Sequence, residues 1–202
     1  MDLMEAIKTR RAIRKYRPDP VPQEFIDQIL EAARLAPSGV NSQPWKFKVV
    51  TDPELKEKVF QCTKSQFHVR QAPVVIIVCG DTMSYSKSLK VRFKELLDNG
   101  VITQADLGIM GLKDVVTEDD EKELEKYRQA AMFNTAIATE HMALMAASLG
   151  LGSCWIHLFD KDALSKLLGL PSWVFPVTLL PIGYPDETPE PKPRKSIQEI
   201  TF

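Results

Sequence analysis

Pro73-Val74-Val75-Ile76-Ile77-Val78-Cys79 is the most informative run in the chain. It is β-branched and apolar at successive positions, so a strand built from it has two faces to cover and belongs at the centre of a sheet. It is far shorter than the roughly 18 apolar residues that a membrane helix needs. A central strand requires neighbours. Trp45 to Val50 alternates, with Trp45, Phe47 and Val49 on one side and Lys46 and Lys48 on the other, and reads as a second strand. Cys154 to Phe159 reads as a short strand and Val174 to Ile182 as the last one.

Helices lie between them. Asp2 can cap a helix running to about Thr9. Pro22 suits a first helical position, with Glu24 near the positive end of the dipole. Phe25, Ile26, Ile29, Leu30 and Ala33 then follow at helical spacing, and this helix ends before Pro37. Asp52-Pro53 starts another helix, carrying Leu55, Val59 and Phe60. Met83 to Leu97 reads as helix, and Gly100 to Val116 has no clear pattern. Glu118 to Tyr127 is acidic and helix-forming, and it can run on into Thr135 to Ser148. The run Thr135 to Ser148 is apolar on nearly every side, the mark of a buried helix, with Gly150 and Gly152 able to stop it. Asp160 caps a helix through Leu168. The tail from Gly183 to Phe202, rich in Pro and charge, reads as extended. No repeat or linker divides residues 1–202, so a single domain is expected.

Composition narrows the function classes. The chain has 202 residues, 44% hydrophobic and 26% charged, with 26 Lys plus Arg against 27 Asp plus Glu. A net charge of -1 gives no general attraction to nucleic acid or to an anionic membrane. Cys62, Cys79 and Cys154 are scattered, without a CxxC pair or a His at zinc-ligand spacing, so neither a disulfide framework nor a metal site is expected. The charged opening MDLMEAIKTRR is unlike a signal peptide, which makes the cytoplasm the expected compartment. Gly150-Leu151-Gly152-Ser153 follows a helix and precedes a strand, the reverse of the order in a Rossmann phosphate loop.

Three clusters could carry chemistry. Arg10, Arg11, Arg14, Lys15 and Arg17 form the densest cationic group, and a helical turn there would put Arg10 and Arg14 on one side. Such a group is either a solvated face or an anion site. Pro37-Ser38-Gly39-Val40-Asn41-Ser42-Gln43-Pro44 is either an ordinary polar connection or a ledge for a flat heterocycle. In Lys192-Pro193-Arg194-Lys195, Pro193 keeps the backbone extended, so that Lys192 and Arg194 would face the same way and suit a phosphate. Among the histidines, His141 on the apolar helix reads as a satisfied core residue, and His157 ends a strand nearer a possible site. No acid, base or nucleophile stands out, which points to a cofactor as the source of the chemistry.

In this order, TRRAIRKYRPDPVP (9–22), APSGVNSQPWKF (36–47), PVVIIVC, GLGSCWI (150–156) and IGYPDETPEPKPRK (182–195) resemble the FMN-dependent nitroreductase family. The similarity spans nearly the whole chain and is weakest between Asp81 and Glu125. The resemblance implies an α+β fold, with a mixed central sheet flanked by helices in an intertwined homodimer that shares FMN at its interface. Arg10 and Arg11 match positions near the phosphate and ribityl chain, and Arg14 matches the basic residue beside flavin N1 and O2. Lys192 and Arg194 match the phosphate-binding pair of the tail. Pro37, Ser38, Gly39 and Asn41, together with Gln43, match the loop that reaches FMN from the other subunit. Trp155, Ile156 and His157 match the segment along the isoalloxazine near N5. Ala12 stands where many members have Ser, Gly39 is shared with the flavin-dependent deiodinases, and His157 replaces an acidic residue.

The activity implied is reduction of nitroaromatics, quinones or similar flat acceptors by NADH or NADPH, in a ping-pong cycle with no catalytic side chain. Two alternatives are a reductive dehalogenase-like flavoprotein and a flavin-binding storage or sensor protein.

Overall fold

The computed structural model describes residues 1–109 and 121–202. Four strands form one sheet in the order β1 (Trp45–Val50), β2 (Val74–Asp81), β4 (Val174–Gly183), β3 (Gly152–Ser153). Each neighbouring pair is antiparallel, and one parallel bridge, Ala12 to Ser153, is added at the β3 edge. In register, Trp45 faces Gly80 and Val74 faces Ile182.

The PVVIIVC run is the middle of this arrangement, with every residue of β2 buried. Period-two alternation splits its side chains between two layers. Val74, Ile76 and Val78, with Leu180 and Ile182 of β4, pack on Ile29 and Ala33 of α2 (Gln23–Arg34) and Met142 of α7 (Arg128–Ser148). Val75, Ile77 and Cys79, with Leu179, pack on Val59 of α3 (Pro53–Gln61), Val69 of α4 (Phe67–Gln71) and Leu164 of α8 (Lys161–Leu168). Helices thus cover both faces, which is why the strand carries no polar alternation. Three helices start where aspartates predict. Asp2, Asp52 and Asp160 accept from the N–H of Glu5, Leu55 and Ala163 at 2.8, 2.8 and 2.9 Å, opening α1 (Leu3–Thr9), α3 and α8.

Several elements differ from the sequence reading. Pro22 is the N-cap of α2 rather than its first helical residue. Cys154 to Phe159 is not a strand. The ladder stops after Ser153: Cys154 N–H donates to Pro181 O at 3.4 Å, and the next reciprocal pair is at Ile156, whose N–H and C=O pair with Leu179 at 3.0 and 3.1 Å. Pro181 in β4 has no N–H with which to return the bond from Cys154, so the ladder is interrupted there. The tail is not extended to its end: Ile197–Ile200 makes a short helix, α9, closed by a reciprocal cap between Ser196 and Glu199. α5 (Thr82–Asp98) matches expectation, and α6 (Gln104–Ile109) fills part of the unpatterned stretch. Of the acidic segment, Glu121–Tyr127 is a 3₁₀ helix rather than an α-helix, and it runs on into α7, which begins at Arg128, as the sequence reading allows. Residues 110–116 and 118–120 of these readings lie outside the described residues. Gly150, at φ +76°, ends α7 as expected, whereas Gly152 opens β3.

What positions the candidate site is the segment after α1. From Arg10 the chain is extended and lies along the sheet edge. Ile13 N–H donates to Ser153 O at 3.0 Å, Arg17 N–H to Tyr184 O at 2.9 Å and Asp186 N–H to Lys15 O at 2.9 Å. The Tyr16 hydroxyl closes the turn by donating to Ile13 O at 2.7 Å.

Candidate functional site

The arginine cluster is not helical, so the i, i+4 argument for Arg10 and Arg14 does not apply. The same side is reached by another route. In an extended segment alternate side chains share a face, and Arg10, Ala12 and Arg14 line one cavity of about 260 Å³ with Cys154 and Trp155. Arg10 and Arg11 also line a neighbouring groove of about 450 Å³, whose far wall is the tail from Pro189 to Pro191. Arg10 and Ser153 belong to both spaces. The groups expected from the start of the chain and from the 150s therefore meet, and residues up to Pro191 join them.

Arg10 is the pivot. Its Nε lies 3.3 Å from Glu140 Oε1 of α7, but the atom is buried and makes no hydrogen bond. Arg11 Nη1 is held by Lys8 O at 2.7 Å and Arg10 O at 2.9 Å, while Arg14 is exposed. A half-buried guanidinium whose buried Nε lacks a hydrogen bond, with Arg11 next to it and Arg14 two same-face positions along the extended segment, suits an anion such as a phosphate ester. Trp155 is half-buried and gives the smaller cavity an apolar wall, Ile156 is buried in the core layer with Ile13 and Leu179, and His157 is exposed. Lys192 and Arg194 are exposed, and Arg194 Nη1 donates to its own tail, at 3.2 Å to Lys192 O and 3.3 Å to Pro193 O.

The loop 37–44 is built separately. Ser38 Oγ accepts from Gln43 N–H at 2.9 Å, and Gln43 Nε2 donates to Asn41 Oδ1 at 3.2 Å. Val40, Asn41 and Gln43 have φ of 50°, 52° and 43°. For a β-branched valine that conformation is strained, and strain of this kind gathers at functional sites. Pro37, Ser38 and Gly39 line a cleft of about 670 Å³ with Tyr85, Phe133 and Asn134, and this cleft shares no residue with the arginine cavities. One chain thus brings Arg10, Arg11, Ala12, Arg14 and Trp155 together but leaves Pro37, Ser38, Gly39, Asn41 and Gln43 apart from them.

Sequence reasoning missed Asn134, which accepts the Gly39 N–H at 2.8 Å and donates to Ala130 O at 2.7 Å. It lies just before the apolar run that begins at Thr135, where nothing local sets it apart from the other polar residues of the helix. Sequence reasoning also missed Glu187, whose Oε1 accepts from Arg14 N–H at 2.5 Å and Lys15 N–H at 3.2 Å. Nothing local distinguishes that carboxylate from its neighbours.

Burial raises the Cys154 thiol above its ordinary value, with Arg14 opposing and Glu187 assisting. Burial likewise raises the Tyr16 phenol, helped by Cys154 and Glu187. His141, half-buried, sets Nδ1 3.2 Å from Ala32 O, as a satisfied helix-packing residue should. Among the described residues no three His, Cys, Asp or Glu side chains group as metal ligands, and no helix is long and apolar enough to cross a membrane.

His68, on α4, is 7% exposed with Nε2 unpartnered. Burial pushes its pKa below 6.5; the positive Arg14 adds to this and Glu187 opposes it. The folded chain therefore holds the neutral ring while the unfolded chain takes up a proton near 6.5. Stability is fully present above that pH and declines as pH falls from it towards the lower folded value. Thermal unfolding between pH 7.5 and 5 should show a drop that His68→Phe flattens, and parallel profiles for the two proteins would assign the drop elsewhere.

Comparison with known proteins bears on the family and the fold. The nitroreductase family model matches residues 7–184. A protein of Thermus thermophilus named NADH dehydrogenase is 32% identical over 203 residues, covering 100% of this chain and 96% of its own. An FMN reductase [NAD(P)H] of Bacillus subtilis is 32% identical over 196 residues, covering 96% and 70%. A protein of Exiguobacterium sibiricum crystallised in complex with FMN superposes with TM-score 0.78 at 28% identity, covering 100% of this chain and 97% of its own. An extended arginine strand, a doubly covered antiparallel sheet and a match across most of the chain lead to one assignment: this protein belongs to the nitroreductase family.

Proposed function

We propose that the chain is an FMN-dependent oxidoreductase that takes electrons from NADH or NADPH and passes them to flat acceptors such as nitroaromatics and quinones. It works as a cytoplasmic homodimer, in a ping-pong cycle. The observation that carries this reading is the convergence of Arg10, Arg11 and Arg14 beside Trp155, with a buried Arg10 Nε that lacks a hydrogen bond. That donor set fits a phosphorylated flavin.

Bound FMN supplies the hydride-accepting and hydride-donating centre that the side chains lack. Arg10 and Arg11 bind its anionic end, and Lys192 and Arg194 add charge there. Arg14 places a fixed positive charge by the ring, which favours electron uptake. Trp155, Ile156 and Ala12 bound the ring and exclude water, and His157 lies at the edge of that segment. Dimerisation lets Pro37, Ser38, Gly39, Asn41 and Gln43 of one subunit complete the site of the other. Two features of the single chain support it: the separation of that loop from the arginines, and the exposed apolar side chains of Leu3, Met4, Ile7, Phe133, Ile197 and Ile200.

The purified protein should be yellow, lose its colour anaerobically with NADH or NADPH, and recover it with a nitroaromatic or a quinone. A colourless protein that takes up no FMN would refute the reading, and a yellow one bleached by neither nucleotide would remove its nicotinamide part.

A further inference from the structure

The C-terminal tail is tied to the arginine strand by a short, ordered set of contacts. Tyr184 O accepts from Arg17, Tyr16 bridges Pro185, and Asp186 donates to Lys15. Glu187 then closes the set from its side chain, one carboxylate oxygen accepting from the consecutive N–H groups of Arg14 and Lys15 at 2.5 and 3.2 Å. Past that point the backbone has little with which to continue. Pro189, Pro191 and Pro193 lack N–H donors at every second position. Among the described residues, Glu187 is the last tie before the basic residues.

The tail beyond it runs along the groove that Arg10 and Arg11 line, as far as Pro191. Lys192 is the next residue, and an extended chain advances about 3 Å per residue. So the position of Glu187 sets where Lys192 and Arg194 arrive. The carboxylate would otherwise look misplaced beside an anion site. It is held by two charge-assisted bonds to main-chain donors.

We infer that Glu187 is a positioning residue, which fixes the Arg14 main chain and delivers Lys192 and Arg194 to the phosphate of the ligand gripped by Arg10 and Arg11. This rests on the functional reading above, because it takes that ligand to be FMN.

The experiment titrates FMN into apoprotein by flavin fluorescence across a range of NaCl, for wild type, Glu187→Ala, Glu187→Gln and the Lys192→Ala, Arg194→Ala pair. Glu187→Ala should weaken FMN binding by about tenfold, and Glu187→Gln by about threefold, because an amide oxygen still accepts from the Arg14 N–H. Glu187→Ala and the tail pair should each make binding less sensitive to salt, since both withdraw the same cations from the phosphate. Combined, they should fall short of additivity by at least about threefold. A purely structural role lowers the melting temperature without changing the salt dependence, and that outcome overturns the inference. So does full additivity, or Glu187→Ala binding within twofold of wild type. Each of these leaves wild-type FMN binding intact. Wild-type protein that binds no FMN overturns the functional reading and this inference together.

Discussion

The Arg10→Ala, Arg14→Ala double variant is expected to purify without flavin. Hydrogen bonds from a charged donor contribute about 1.5–3 kcal/mol each. Removing one from each guanidinium should therefore weaken FMN binding by about 10²- to 10⁴-fold. The loss should be specific to the cofactor. Arg14 is exposed, and the only ion pair of Arg10 among the described residues is with Glu140, whose side chain is 43% exposed. Pairs of that kind contribute at most about 1 kcal/mol to folding. The flavin-to-protein absorbance ratio and a calorimetric titration of apoprotein test both halves. A double variant that remains yellow and fully loaded would remove the arginine strand from the cofactor site.

Gly152→Ala is expected to damage stability and cofactor binding together. A Cβ at this position would lie 2.6 Å from Ile13 Cγ1 and 2.8 Å from Ile13 Cβ, far inside contact distance. Ile13 is 6% exposed and its N–H is bonded to Ser153 O, so it has no free volume into which to retreat. Overpacking of this sort costs about 1–3 kcal/mol. The strain falls on the segment that carries Arg10, Arg11 and Arg14, so FMN affinity should fall with the melting temperature. Ile13→Ala removes the 2.6 Å contact with Cγ1 but keeps the 2.8 Å contact with Cβ. The Gly152→Ala, Ile13→Ala pair should therefore be only partly relieved, less destabilised than the two single losses added yet less stable than Ile13→Ala alone. Loss of stability with unchanged FMN affinity would show that the strand tolerates displacement.

The two predictions depend on kinds of information that the sequence carries unequally. The doubly covered strand was legible in PVVIIVC because burial on both faces demands apolar residues at every position. The helix starts at Asp2, Asp52 and Asp160 were legible because a cap is satisfied within three residues. The resemblance of five ordered motifs was enough to name the family whose model matches residues 7–184. Each of these signals is local, or is a string of local ones.

What was not legible is set by partners far away in the chain. Cys154 to Phe159 looks like a strand until Pro181, on the strand beside it, fails to supply an N–H. Arg10 and Arg14 share a side because the segment is extended and bonded to Ser153, not because they are four apart. Gly152 looks like a helix stop, yet its lack of a side chain is required by Ile13. Glu187 is one carboxylate among many until the fold sets it under the N–H of Arg14, 173 residues away. Backbone propensity and capping act over a few residues and are written in the order of the amino acids. Ladder partners, close approaches and cavities arise only when distant segments are packed together, and so the folded chain had to supply them.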